Sequence, residues 1–232
     1  MPLRAVLLDL DGTLVDTNAL HVESFALALQ ERGHDVDRAA IARQVGKGAA
    51  EVVGALLDVD DAENEAIREA AKAHFHRLAE RRTIRLFPEV EALLGAVAER
   101  GLRTAIATAS NEADLDAIFE SAGTDLRDRV DAVTTSSDVD RSKPAPDTVG
   151  AALDRLGVAP DEAVLVGDTP YDFEAAGRAG VAGVGVATWV DDRAALQRAG
   201  ARAAYLDAAD LLAHLDEALA AAERPAAAAD PA

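Results

Sequence analysis

Two aspartates, Asp9 and Asp11, follow the short apolar run Ala5–Leu8. Residues i and i+2 of an extended segment point the same way, so both carboxylates can leave a strand end together. Held that close they repel each other unless a proton or a cation intervenes. The pair therefore reads as a cation site with a spare nucleophile, and Gly12 lets the backbone turn sharply behind it. A bare DxD is more often an acidic turn; the longer string DLDGTLVDT singles this one out.

Three later stretches carry residues of matching chemistry. Thr108 ends RTAIAT, and Ala109, Ser110 and Asn111 precede a helical pattern. A hydroxyl and free backbone N–H groups at a helix start can hold phosphate oxygens, although an isolated Thr-x-Ser is more often a helix cap. Lys143 sits in RSKPAPD, where two prolines stiffen the loop ahead of a helix; alone it would read as a solvated lysine. Asp168 and Asp172 follow the apolar run AVLVG and bring hard oxygen donors, which select Mg²⁺. The plainer reading of that pair is an acidic first turn of a helix.

Each of these residues needs an element to place it. Ala5–Leu8 suits a strand buried on both faces of a parallel sheet. Asp16 to Asn18 offer capping side chains to a helix with Val22, Phe25, Ala26 and Leu29 on one face, ended by Gly33. From Asp37 to about Arg82 the pattern stays helical, broken at Gly46-Lys47-Gly48. From Pro88 it alternates. A helix carries Val90, Leu93, Leu94 and Val97 and stops at Gly101. Strand Arg103–Thr108, helix Glu112–Ser121, a weak strand at Ala132–Thr134 and helix Pro146–Leu156 follow. Strand Ala163–Gly167, helix Tyr171–Ala179, strand Ala182–Ala187 and helix Asp191–Arg198 come next, then strand Ala203–Leu206 and helix Leu211–Ala221. This alternation predicts an α/β fold, a doubly wound parallel sheet with helices on both faces. Ligands in such sheets bind beyond the carboxyl ends of the strands. The expected division is a discontinuous core of residues 1–16 and 85–222, an inserted small helical cap of residues 17–84, and a disordered tail at 223–232.

Composition narrows the partners. Of 232 residues half are apolar and only 3% aromatic, so the core must be built mainly of Ala, Val and Leu. A net charge of −19 argues against nucleic acid and anionic membranes. Lysine occurs only at Lys47, Lys72 and Lys143, and the absence of cysteine excludes disulfides and thiol catalysis. The N-terminal apolar run is too short for a signal peptide or a membrane span. The expectation is a cytoplasmic protein.

DLDGTLVDT, Thr108, SKP at Ser142–Pro144 and GDTPYD at Gly167–Asp172 occur in the order of the four motifs of the haloacid dehalogenase superfamily, which the chain resembles over nearly its whole length. The resemblance implies a Rossmann-like core and phosphohydrolase chemistry through an aspartyl-phosphate, in a monomer or homodimer acting on a small phosphorylated metabolite, in the small-helical-cap subgroup of phosphoglycolate phosphatases, sugar phosphatases and β-phosphoglucomutase. On it Asp9 is the nucleophile and Asp11 the acid and base. Thr108, the Ala109 N–H and Lys143 hold phosphoryl oxygens, with Ser110 and Asn111 beside them. Mg²⁺ is held by Asp9, the Asp11 carbonyl and Asp168, with Asp172 acting through water or orienting the shell. Dehalogenases of the superfamily lack the second acid, which is present here. Glu89, in FPEV, stands where members often carry glycine.

The cap would choose the leaving group. Its polar candidates are His21 near the hinge, Lys47 between two glycines, and Lys72 on a long helix; packing and solvation explain each equally well. Three other readings stay open. A phosphomutase would return the phosphoryl group to a sugar, although DGTL favours the phosphatases. A receiver-like signalling module would leave the helical insert unexplained. A non-catalytic sugar-phosphate binder would have little use for both Asp9 and Asp11.

Overall fold

The computed structural model describes residues 2–190 and 192–223. Six strands, β1 Ala5–Leu8, β2 Arg103–Ala107, β3 Ala132–Thr134, β4 Ala163–Gly167, β5 Ala182–Val186 and β6 Ala201–Tyr205, form one sheet. Every pairing is parallel and the order is β3-β2-β1-β4-β5-β6. All four residues of β1 are buried, as its unbroken apolar run demands. Leu8 is paired with Ile106 on one side and Val166 on the other.

The two faces bury alternate residues of β1. Val6 and Leu8 pack with Leu93, Leu94 and Val97 of α5 (Val90–Glu99) and with Leu211 and Leu215 of α10 (Ala208–Ala213) and α11 (Leu215–Glu223). Ala5 and Leu7 face Val149, Ala152 and Leu153 of α7 (Asp147–Leu156) and Ala175 and Ala176 of α8 (Pro170–Ala179). The chain reverses its winding between β1 and β4, and a crevice opens past the carboxyl ends of those strands.

Between β1 and α5 the described residues form only helices as regular elements: α1 Asn18–Glu31, α2 Arg38–Ala42, α3 Ala49–Leu56 and α4 Asp61–Ala79. This segment has a core of its own, from Val22, Phe25, Leu29, Ile41, Val53 and Ile67. Leu20, Phe75 and Ala79, at the roots of α1 and α4, belong instead to the core under the sheet. The outgoing and returning chain are paired: the Asp16 N–H donates to Arg85 O at 2.9 Å and the Phe87 N–H to Leu14 O at 3.0 Å.

Several boundaries differ from the sequence expectation. The last strand begins earlier, at Ala201, and the helix expected at Leu211–Ala221 is two helices, interrupted at His214. The His214 ring donates back to Asp210 O at 2.9 Å and stacks near Tyr205. Glu223 closes α11, while the rest of the tail expected at 223–232 lies outside the described residues, as does Asp191. Glu89 takes a left-handed backbone, φ 63°, at the start of α5. That conformation is one glycine adopts freely and a side chain does not.

Candidate active site

The strand ends deliver the chemistry. Asp9 stands one residue beyond β1, and its N–H donates to Val166 O of β4 at 2.9 Å. Asp168 follows β4 directly. Lys143, from the loop before α7, is 1% exposed and donates to Asp9 Oδ1 at 2.5 Å and to Asp172 Oδ1 at 2.7 Å. The other oxygen of Asp172 accepts the Thr169 N–H at 3.0 Å and the Thr169 hydroxyl at 2.9 Å, which ties down the start of α8. Asp168 accepts from Asn18 Nδ2 at 2.8 Å and from the Thr13 hydroxyl at 3.3 Å. Asp9, Asp168 and Asp172 present oxygens within 4.8 Å of one another, all buried.

Three buried carboxylates thus share one ammonium. Burial pushes Asp9 up to about 7 against the pull of Lys143, with Asp172 and Asp11 adding to the rise. Burial and the charges of Asp172 and Asp9 carry Asp168 well above the usual carboxylate range. Lys143 is raised: its burial works the other way but is outweighed by Asp172 and Asp9. The cluster is short of positive charge, and its all-oxygen donor set fits a hard divalent cation. Asn18 Oδ1, buried and unpartnered beside Asp168, fits a water in such a cation's shell.

Asp11 is held apart from this group. Its Oδ1 accepts the Thr17 hydroxyl at 2.6 Å and His21 Nε2 at 2.9 Å. Its Oδ2 accepts the Ser110 hydroxyl at 2.7 Å and that of Thr108 at 3.3 Å. Burial would raise its pKa, but His21, Thr17 and Ser110 outweigh it and hold the carboxyl well below its usual range. His21 is raised by Asp11 in spite of its own burial, and its ring stacks on Phe75 at 4.5 Å. Gly12, φ +80°, is compulsory: a Cβ there would lie 2.0 Å from Asn18 Nδ2 and 2.1 Å from Asp168 Oδ2.

The Asp11 carboxylate lies outside the acidic cluster, and its carbonyl is the group that the sequence expectation gave to a cation. Asn111, expected at phosphate, uses its side chain to cap α6 (Glu112–Ala122) through Asp114. Thr17 and Asn18, expected to cap α1, make no cap bond and serve Asp11 and Asp168 instead. Lys47 donates to Gln44 Oε1 at 2.7 Å and lies 4.8 Å above the Tyr171 ring. His21 reaches Asp11 directly, while Lys72 lines the cavity without a partner among the described residues.

A cavity of about 310 Å³ joins the strand ends to the helical segment. Asp9, Asp11, Ala109 and Ser110 form its floor and His21, Lys47, Arg68, Lys72 and Phe75 part of its roof. Sequence reading missed Thr13, Thr17, Asn18, Thr169 and Arg68. A threonine or asparagine at a helix start reads as a cap whether it serves its helix or a neighbouring carboxylate.

Residues 6–186 match the family model described as haloacid dehalogenase-like hydrolase. A phosphoglycolate phosphatase of Rhodospirillum rubrum is 34% identical over 220 residues, covering 90% of this chain and 89% of its own. The crystal structure of a hydrolase from Pseudomonas syringae superposes with a TM-score of 0.85 at 29% identity, covering 92% of this chain and 98% of that one. CbbY from Rhodobacter sphaeroides, solved in complex with phosphate, superposes with a TM-score of 0.75 at 26% identity, over 92% of this chain and 99% of its own. The parallel sheet, the acidic strand ends and these likenesses agree: the chain belongs to the haloacid dehalogenase-like hydrolases and is a phosphatase of that family.

Proposed function

We propose that the protein hydrolyses a small phosphate monoester, of the phosphoglycolate or sugar-phosphate class, with Mg²⁺ and through an aspartyl-phosphate on Asp9. One observation carries the reading: Asp9 lies on a cavity floor between a buried lysine and two further carboxylates, with a second acid held separately at Asp11.

The Asp9 carboxylate attacks phosphorus, and the bond to the leaving alcohol breaks. Asp11 gives that alcohol its proton, then takes one from the water that attacks the phosphoenzyme and frees Asp9 and inorganic phosphate. Asp9, Asp168 and the Asp11 carbonyl would hold Mg²⁺, which when bound supplies charge neutralisation at the phosphoryl oxygens. Lys143 adds a fixed positive charge. Four donors around Asp11 favour its carboxylate, the wrong form for an acid. Two of them, Thr108 and Ser110, are the hydroxyls assigned to phosphate. A phosphoryl group that takes them leaves Asp11 with fewer donors and a greater affinity for a proton. Residues 17–84 act as the cap over this floor, and residues 1–16 with 85–222 as the core.

Trapping with acetyl phosphate tests the chemistry. Asp9→Asn is expected to form no phosphoenzyme and to show no turnover. Asp11→Asn is expected to lose about 10²–10⁴-fold in kcat on alkyl phosphates while Asp9 still takes label. Label on another residue, or full activity in EDTA, overturns the proposal.

A further inference from the structure

Two histidines of the helical segment each end on a carboxylate of the core. His21 bonds Asp11, and His76, on α4, donates through Nε2 to Asp114 Oδ1 at 2.7 Å. The Phe75 ring stands between them, stacked on His21 at 4.5 Å and edge-on to His76 at 6.2 Å. Asp114 lies in the first turn of α6 and lines the cavity with Ser110 and Asn111. Its Oδ2 accepts Asn111 Nδ2 at 2.7 Å, while its N–H donates to Asn111 Oδ1 at 3.1 Å. Asn111 directly follows Ser110, so this closed pair fixes the end of the turn that carries the hydroxyls assigned to phosphate. The far end of α6 is tied to the same helical segment: the Ser121 hydroxyl donates to Arg82 O at 2.8 Å and accepts the Ile84 N–H at 3.1 Å. Between the two ties, Phe75, Ala79 and Ile84 share one apolar core with Leu115, Ile118 and Phe119.

We infer that His76 is a positioning residue for phosphoryl binding: it holds the Asp114 carboxylate on Asn111 and away from the incoming phosphate. The helical segment thereby completes a phosphate site otherwise built at the strand ends. This rests on the reading of Thr108 and Ser110 as phosphoryl ligands. Asp114 Oδ1 has no donor other than His76 among the described residues. Without that ring N–H the carboxylate is free to turn, which opens its bond to Asn111 and presents an unpaired anionic oxygen to the cavity. Two penalties then fall on phosphate binding. One is repulsion between like charges in a partly desolvated space; the other is a looser turn at Ser110.

The test uses inorganic phosphate, as an inhibitor of p-nitrophenyl phosphate hydrolysis and by calorimetric titration. The His76 side chain is 31% exposed, so the fold is expected to tolerate substitution there. His76→Leu is expected to raise the inhibition constant of phosphate and KM about tenfold, the size of one hydrogen bond to a charged group, with kcat changed much less. Adding Asp114→Asn to that variant is expected to recover most of the loss, because it removes the charge that His76 restrains while an amide oxygen can still accept from Asn111. His76→Gln, which keeps an N–H donor, is expected to lose less than His76→Leu. Unchanged phosphate affinity in His76→Leu overturns the proposal. So does a loss that Asp114→Asn does not relieve, which would make His76 a support of the fold alone. Absence of both turnover and phosphate binding in the wild type would overturn the assignment of Thr108 and Ser110 instead. Amide exchange at residues 109–114 would then decide the restraint on Asp114 and Asn111 by itself: faster exchange in His76→Leu supports it, and exchange equal to the wild type overturns it.

Discussion

Three buried acids around Lys143 make the site's electrostatics depend on a cation. The folded-state pKa of Asp9, about 7, stands above the value near 4 of an unfolded carboxyl. The metal-free folded protein therefore binds more protons than the unfolded chain in that window. Stability from this group is full below about pH 4 and is lost as pH rises through about 7, and Asp168 acts in the same direction. On the proposed reading Mg²⁺ would replace that proton. It is expected to raise the melting temperature more near pH 8 than near pH 6, with proton release on binding near pH 6; equal shifts at both would refute the linkage. Gly12→Ala is expected to abolish the Mg²⁺-induced shift and to cost more than the ~1–2 kcal/mol of a left-handed Cβ, because the new atom enters the Asn18–Asp168 contact. A retained shift would show that this contact yields. The acids themselves were legible in the sequence, since each follows an apolar run. Their orienting partners were not: Thr17 and Asn18 sit where a helix cap belongs, and only the fold brings Asp11 and Asp168 within their reach.

At the scale of elements, β1, β2, β4 and β5 were legible because buried parallel strands are short apolar runs bounded by turns, whereas the half-buried edge strands β3 and β6 gave weaker or displaced patterns. The break at His214 was not, since it depends on a ring contact with Tyr205 from a different element. Glu89 was legible as a departure, and its left-handed backbone gives the reason. Glu89→Gly relieves ~1–2 kcal/mol of backbone strain against ~0.5–1 kcal/mol for glycine's freedom when unfolded. The expected result is a melting temperature higher by about 2–4 °C; a fall would mean that the carboxylate has a compensating partner. Docking of the 42–48 turn was invisible in sequence because its contacts are to backbone. Trp189 Nε1 donates to Ala42 O at 3.3 Å, the Tyr171 hydroxyl to Arg43 O at 2.8 Å, and the Gly48 N–H to Lys143 O at 3.0 Å. Gly46, φ +96°, brings the turn so close that a Cβ would lie 2.4 Å from the Thr169 hydroxyl. Tyr171→Phe with Trp189→Phe removes two of these bonds, each worth ~1 kcal/mol. Amide exchange in residues 42–48 is expected to quicken at least about fivefold, and unchanged exchange would mean that the turn is held by packing alone.

For the whole molecule, a charge of −19 on 232 residues means self-repulsion that the fold must overcome. Ion pairs such as Arg4–Glu162 and Arg100–Asp216 are mostly exposed and contribute little each. Screening therefore relieves more repulsion than it removes attraction. The melting temperature is expected to rise between about 10 mM and about 300 mM NaCl, and a fall would assign the pairs a larger share. No helix among the described residues is long and apolar enough to cross a membrane.

The paired bonds from Asp16 to Arg85 and from Phe87 to Leu14 have a consequence for assembly. Seen from the sheet, the chain leaves and re-enters at one point, so 68 intervening residues close like the loop of a hairpin. Closure entropy grows only as the logarithm of loop length, and the loop's own apolar centre around Phe25 and Ile41 offsets it. The sheet thus registers a seam and not the length of what is sewn into it. Helical inserts of other sizes could be spliced there, provided that they bring side chains to fill the places of Leu20, Phe75 and Ala79.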